Sequence, residues 1–152
     1  MLDIAHIHPM LVHFPLALLP LAVTAQAISL ATEGGLFGRN CSARMGMGIL
    51  AVTAVAAILA AIFGDMAFDQ ALAAGVPEAA MEDHEHLGML SAIALAGLAA
   101  VESILYLRSD NSRLISVLLL IAGFGLLSVL LATAWFGGHL VYDLGINVAQ
   151  DL

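Results

Sequence analysis

Lysine is absent from this sequence, and arginine occurs only at positions 39, 44, 108 and 113, against twelve acidic residues. A chain with a net charge of -8 and no basic patch cannot neutralise a phosphate backbone, which excludes a nucleic-acid binder. Cysteine is limited to Cys41, so no intramolecular disulfide and no thiolate metal cage can form. No glycine-rich phosphate loop, nucleophile elbow or HExxH zinc motif is present. Charge of any kind is scarce, at 11% of residues, and this excludes an ordinary soluble domain.

Apolar runs take its place. With 62% hydrophobic residues and a mean hydropathy of +1.03, the chain reads as an all-α integral membrane protein. Four stretches reach the roughly 20 apolar residues that a bilayer demands of a helix, at about 9–31, 44–64, 86–107 and 114–140. A single four-helix transmembrane bundle fits the 152 residues, with no separate soluble domain. A cleaved signal peptide ending near Ala25-Gln26-Ala27 competes for the first stretch, but Asp3 stands where a basic n-region belongs.

The arginines give an orientation. Arg39 and Arg44 fall in the first connection, Arg108 and Arg113 in the third, so the positive-inside rule makes both connections cytoplasmic. Both termini and the long middle connection 65–83 are then expected at the periplasmic face of a bacterial inner membrane. In that connection, 66–74 reads as a short interfacial helix or an acidic loop, stopped by Gly75-Val76-Pro77.

All six histidines, His6, His8, His13, His84, His86 and His139, are thereby expected at one face, among Asp65, Asp69, Asp83, Glu85 and Asp143. Ionisable groups seldom enter lipid without a partner or a task. His8 precedes Pro9, a natural first residue of a helix, and reads as a flanking residue. His13 lies about 6 Å deeper and is expected to face inward. His84 and His86 point to nearly opposite sides of a helix, and His86 is preferred for the bundle side because Gly97 shares its face. Pro15 and Pro20 free carbonyls near Leu11 and Leu16, which neighbours would have to satisfy.

The two halves also look alike. His6-Ile7-His8 matches His84-Glu85-His86, Phe63-Gly64 matches Phe136-Gly137, and both arginine pairs share one spacing. A parallel repeat of two helical hairpins about an axis along the membrane normal would bring the starts of helices 1 and 3 together.

Three functional readings follow. In the first, haem b sits between His13 and His86, with His8 and His139 supporting or replacing them and Gly97, Gly123 and Gly125 leaving room for the macrocycle. Such a subunit would pass electrons between a membrane quinol and a periplasmic cytochrome or larger oxidoreductase complex. The face holds no arginine or lysine for the propionates, which counts against it. In the second, His6, His8, His84, His86 and His139 with Asp65 or Asp143 form a zinc or copper site, to which Met10, Met81 and Met89 could add soft ligands. In the third, no cofactor is bound, and the histidines tie helices together within a complex. Glu102, near the arginine end of helix 3, could serve a quinone or a proton path, or pair with Arg108 or Arg113.

His8-Pro9-Met10-Leu11-Val12-His13-Phe14-Pro15, with Gly137-Gly138-His139-Leu140-Val141-Tyr142 and Gly145, resembles a bacterial family of predicted four-helix membrane proteins catalogued as a domain of unknown function. The resemblance spans almost the whole chain, and His139 stands at the variable position of its GGxLVY motif. Some relatives are joined to Rieske-type iron–sulfur domains, so the resemblance implies a redox setting and favours the haem reading.

Overall fold

The structure is a computed structural model and describes residues 4–38, 40–108 and 112–146, with the backbone alone at Ile4 and Ala5. Its elements are α1 (Ile4–Glu33), α2 (Cys41–Ala73), a 3-10 turn (Glu78–Ala80), α3 (Glu82–Leu107) and α4 (Arg113–Tyr142). No described residue lies in a strand. All four α-helices are long and apolar enough to cross a membrane, so this is a multi-pass membrane protein. Helix is forced on these segments because a backbone in lipid must satisfy its own polar groups.

Each helix packs against its chain neighbour, and α1 closes the ring against α4. The core on the axis is built by Leu19, Ala22 and Val23 from α1, Leu50, Ala54 and Ala57 from α2, Ala92, Leu95 and Leu98 from α3, and Leu130 from α4. Val52, Ile93, Ile121 and Leu131 face outward and are exposed, as lipid-facing residues must be. Lipid cannot drive helices together by hydrophobicity, so close backbone approach has to do it. At Gly46 an added Cβ would stand 2.7 Å from the Gln26 Cγ and 3.2 Å from its backbone nitrogen, and at Gly123 one would stand 2.9 Å from the Val23 Cγ1.

Several boundaries differ from those expected. α1 begins before Pro9, which lies inside the helix with Pro15 and Pro20. Helix α2 runs unbroken through Asp65 and on to Ala73, so the separate interfacial helix at 66–74 is instead the outer end of α2. Its 33 residues extend about 50 Å, well beyond a hydrocarbon core of about 30 Å. Asp65 and Asp69 therefore ride on turns that can project into the headgroups. The middle connection shrinks to the turn at Gly75, where φ is 90°, and the 3-10 turn after it.

The first connection folds back on the bundle. Leu36 and Phe37 are buried, and the Leu36 N–H donates to the Ser116 Oγ of α4 (3.1 Å). The Ser29 Oγ donates to the Gly35 carbonyl (2.8 Å), and Asn40 caps α2 by accepting from the Ala43 N–H (2.7 Å). This end also holds Arg44, Arg108 and Arg113; Arg39 lies outside the described residues. All six histidines are at the opposite end, where α1 and α3 begin and α2 and α4 finish.

Candidate functional site

Two of those histidines meet. His8, on the first turns of α1, leans on α2, where its Nδ1–H donates to the Ala60 carbonyl (2.8 Å). The ring occupies the place a side chain on Gly64 would need, since an added Cβ would stand 2.9 Å from both Cε1 and Nδ1. His84 does the same from α3 onto α4, donating from Nδ1 to the Thr133 carbonyl (3.0 Å) and filling the notch at Gly137, whose added Cβ would lie 2.8 Å from its Cε1. Their centroids are 5.9 Å apart across the bundle diagonal, with the ring planes at 79°.

A carbonyl can only accept, so each Nδ1 carries the hydrogen, and in the neutral ring Nε2 keeps its lone pair free. Histidines that bind metals show this arrangement, with the second nitrogen fixed by a hydrogen bond. Beneath the pair, Ser91 and Thr133 place their hydroxyls 3.4 Å apart. A cleft of about 230 Å³, lined by Asp83, His84, Phe136 and His139 among others, opens beside His84.

The other sequence candidates do not converge on this point. His13 is exposed on the outer side of α1, and its Nδ1–H donates to the Pro9 carbonyl of its own helix (2.5 Å). His86 is also turned outward, with 68% of its side chain exposed and Glu85 as its neighbour at 3.6 Å. The inward pair expected from His13 and His86 is thus corrected to His8 and His84. The reason is register: Pro9 does not start α1, so His8 lies within the helix and faces α2. Gly97 and Gly125 are exposed with no neighbour near a would-be Cβ, and Gly123 alone of the three faces inward. His139 is exposed and bonded to Asp143 (2.6 Å), and His6 and Asp65 are exposed as well. Among the described residues no group of three or more His, Cys, Asp or Glu gathers to hold a metal ion, so the residues expected to share a zinc or copper ion are not brought together.

A second polar pair spans the same diagonal at the arginine end. The Gln26 Nε2 donates to the Glu102 Oε2 (2.7 Å), and both side chains are 1% exposed. Glu102 is not drawn to Arg108 or Arg113 as expected, because it faces the core and those arginines are exposed. Gln26 and Glu102 are 76 residues apart, the interval that also separates His8 from His84 and Leu19 from Leu95. In α2 and α4, Ala60 and Gly64 correspond to Thr133 and Gly137. These contacts therefore repeat between the two hairpins, and their register aligns His8, not His6, with His84. The Phe-Gly pairs at residues 63–64 and 136–137 match only α2 to α4; the chance likeness of the two His-x-His triplets obscures the register of α1 against α3.

Fold and site together define a polytopic membrane protein in which two partly buried imidazoles meet across a four-helix bundle. A family profile described as "Predicted membrane protein (DUF2231)" matches residues 5–150, and the chain belongs to that family. Neither a curated protein nor a solved structure matches it.

Proposed function

We propose that this chain is an electron-transfer subunit of a membrane oxidoreductase and holds one haem b between His8 and His84. One observation underlies the reading: two imidazoles at equivalent repeat positions, each with Nδ1–H committed to a carbonyl, lie 5.9 Å apart. With Nδ1–H held by a carbonyl, each imidazole would offer Nε2 as a donor to a metal ion. Two donors suffice for haem, whose porphyrin supplies the other four nitrogens, whereas structural zinc asks for four protein ligands. The donor set fits haem iron for that reason.

Bound there, the haem would supply one-electron chemistry between a membrane quinol and a periplasmic redox partner. The residues of the chain do the positioning. The carbonyls of Ala60 and Thr133 fix the tautomers, and the notches at Gly64 and Gly137 fix the ring rotation. By the positive-inside rule the histidine end faces the periplasm of a bacterial inner membrane.

A second reading, a cofactor-free clasp, draws on a different observation. Both rings already join helices and fill glycine notches, and the rim around them carries Asp83, Glu85 and Asp143 with no arginine or lysine to receive propionates. The absorption spectrum of the detergent-purified chain, read with total metal analysis, separates the two. Haem predicts a Soret band that shifts on dithionite, is lost in His8→Ala and His84→Ala, and survives in His13→Ala and His86→Ala. Absence of both the band and metal leaves the clasp. Copper bound without a Soret band would assign the pair to Cu(I), which accepts soft, low-coordinate sites.

A further inference from the structure

The Glu102 carboxyl is sealed inside the bundle, and its Oε1 has no hydrogen-bond partner. A buried polar atom left this way costs about 1–3 kcal/mol, so its retention calls for a reason. As a carboxylate, Glu102 has one oxygen served by Gln26 and one served by nothing. Protonated, it needs an acceptor for its O–H, and the amide of Gln26 can provide one by turning its Oε1 where Nε2 now stands. The Gln26 side chain thus suits both protonation states of its partner.

Access is one-sided. Toward the histidine end the neighbouring core is apolar, made of Leu19, Ala22, Val23, Leu95 and Leu98. Toward the arginine end, Ser29 lies one turn beyond Gln26, buried, and hydrogen-bonds to Asn40 (3.4 Å) at the start of α2. Polar side chains therefore lead from the carboxyl to that surface. No quinone headgroup can reach a side chain that is 1% exposed, and the Gln26 N–H aimed at the site disfavours a metal cation. The ligand that fits is the smallest one.

We infer that Glu102 and Gln26 form an intramembrane proton-binding site, loaded and unloaded from the arginine end along Ser29 and Asn40. Loading adds H⁺ from water to the carboxylate of Glu102, giving the acid, while the Gln26 amide turns from donor to acceptor; unloading reverses both. The site lies about 27 Å along the bundle from His84, by helical rise, and does not depend on what the histidines bind. Among the described residues, the titratable or charged groups around this end are Glu33 on α1, Cys41 and Arg44 on α2, Tyr106 and Arg108 on α3 and Arg113 on α4. Among the described residues none of them pairs with Glu102.

Infrared difference spectra of the full-length chain in lipid vesicles, recorded between alkaline and acidic buffer, test this. A carbonyl stretch of a protonated carboxyl should appear on acidification, be missing in Glu102→Gln, and change frequency in Gln26→Leu, which removes its hydrogen bond. Glu102→Gln is nearly isosteric and keeps an amide pair; if it does not fold, Glu102→Asp should move the same band. Identical difference spectra for wild type and Glu102→Gln would overturn the proposal. So would a Glu102 band that persists at every pH where the chain stays folded, since a proton that never leaves makes the pair structural.

Discussion

His8 occupies the volume where Gly64 would otherwise carry a side chain, with Cε1 and Nδ1 both 2.9 Å from a Cβ built there. His84 stands to Gly137 in the same way at 2.8 Å. In each case the ring is also bonded to the carbonyl one turn earlier on the facing helix, so it can neither swing aside nor withdraw without losing that bond.

Gly64→Ala and Gly137→Ala should each therefore destabilise the bundle by about 1–3 kcal/mol, the range for overpacking a filled site. Thermal unfolding in detergent reads the effect. Gly48→Ala, Gly97→Ala and Gly125→Ala, where nothing lies within 4 Å, should be neutral or slightly stabilising through helix propensity. Equal tolerance at all five positions would mean the rings are not seated as described.

Gly46→Ala should be among the least tolerated changes in α2. Its Cβ would meet the backbone nitrogen of Gln26 at 3.2 Å and the Ala22 carbonyl at 3.4 Å as well as the flexible Gln26 Cγ, so α1 and α2 would have to separate. A loss of about 1–3 kcal/mol is expected, together with disturbance of the Gln26–Glu102 bond. The infrared carboxyl band of Glu102 would register that disturbance.

Asn40→Ala removes the side-chain cap of α2 and its contact with Ser29, and about 1 kcal/mol should go with it. His139→Ala and Asp143→Ala should each change stability by less than about 0.5 kcal/mol, because an exposed i,i+4 pair contributes little. Chemical or thermal unfolding of the purified chain distinguishes the two classes.

Cys41 is exposed at the arginine end and serves as a built-in reporter of orientation. If that end is cytoplasmic, a membrane-impermeant thiol reagent should spare Cys41 in intact cells and label it after lysis. A Cys41→Ala chain with Glu78→Cys, at the histidine end, should show the reverse. Labelling of Cys41 in intact cells would invert the topology.

Composition determined the membrane class, the helix count and the separation of arginines from histidines. These follow from length and hydropathy, which any apolar segment must satisfy before it meets a neighbour. The hairpin repeat was legible in Phe63-Gly64 and Phe136-Gly137. Its register was not, because two His-x-His triplets offered a false alignment. Which imidazoles face each other was decided only by tertiary structure. The four helices are apolar on all sides, so no stripe in the sequence marks an inner face, and rotation is set by where small residues let backbones approach. The notches at Gly64 and Gly137 took His8 and His84 and turned His13 and His86 outward. The bond between Gln26 and Glu102 likewise joins two helices 76 residues apart, and nothing local to either residue announces the other.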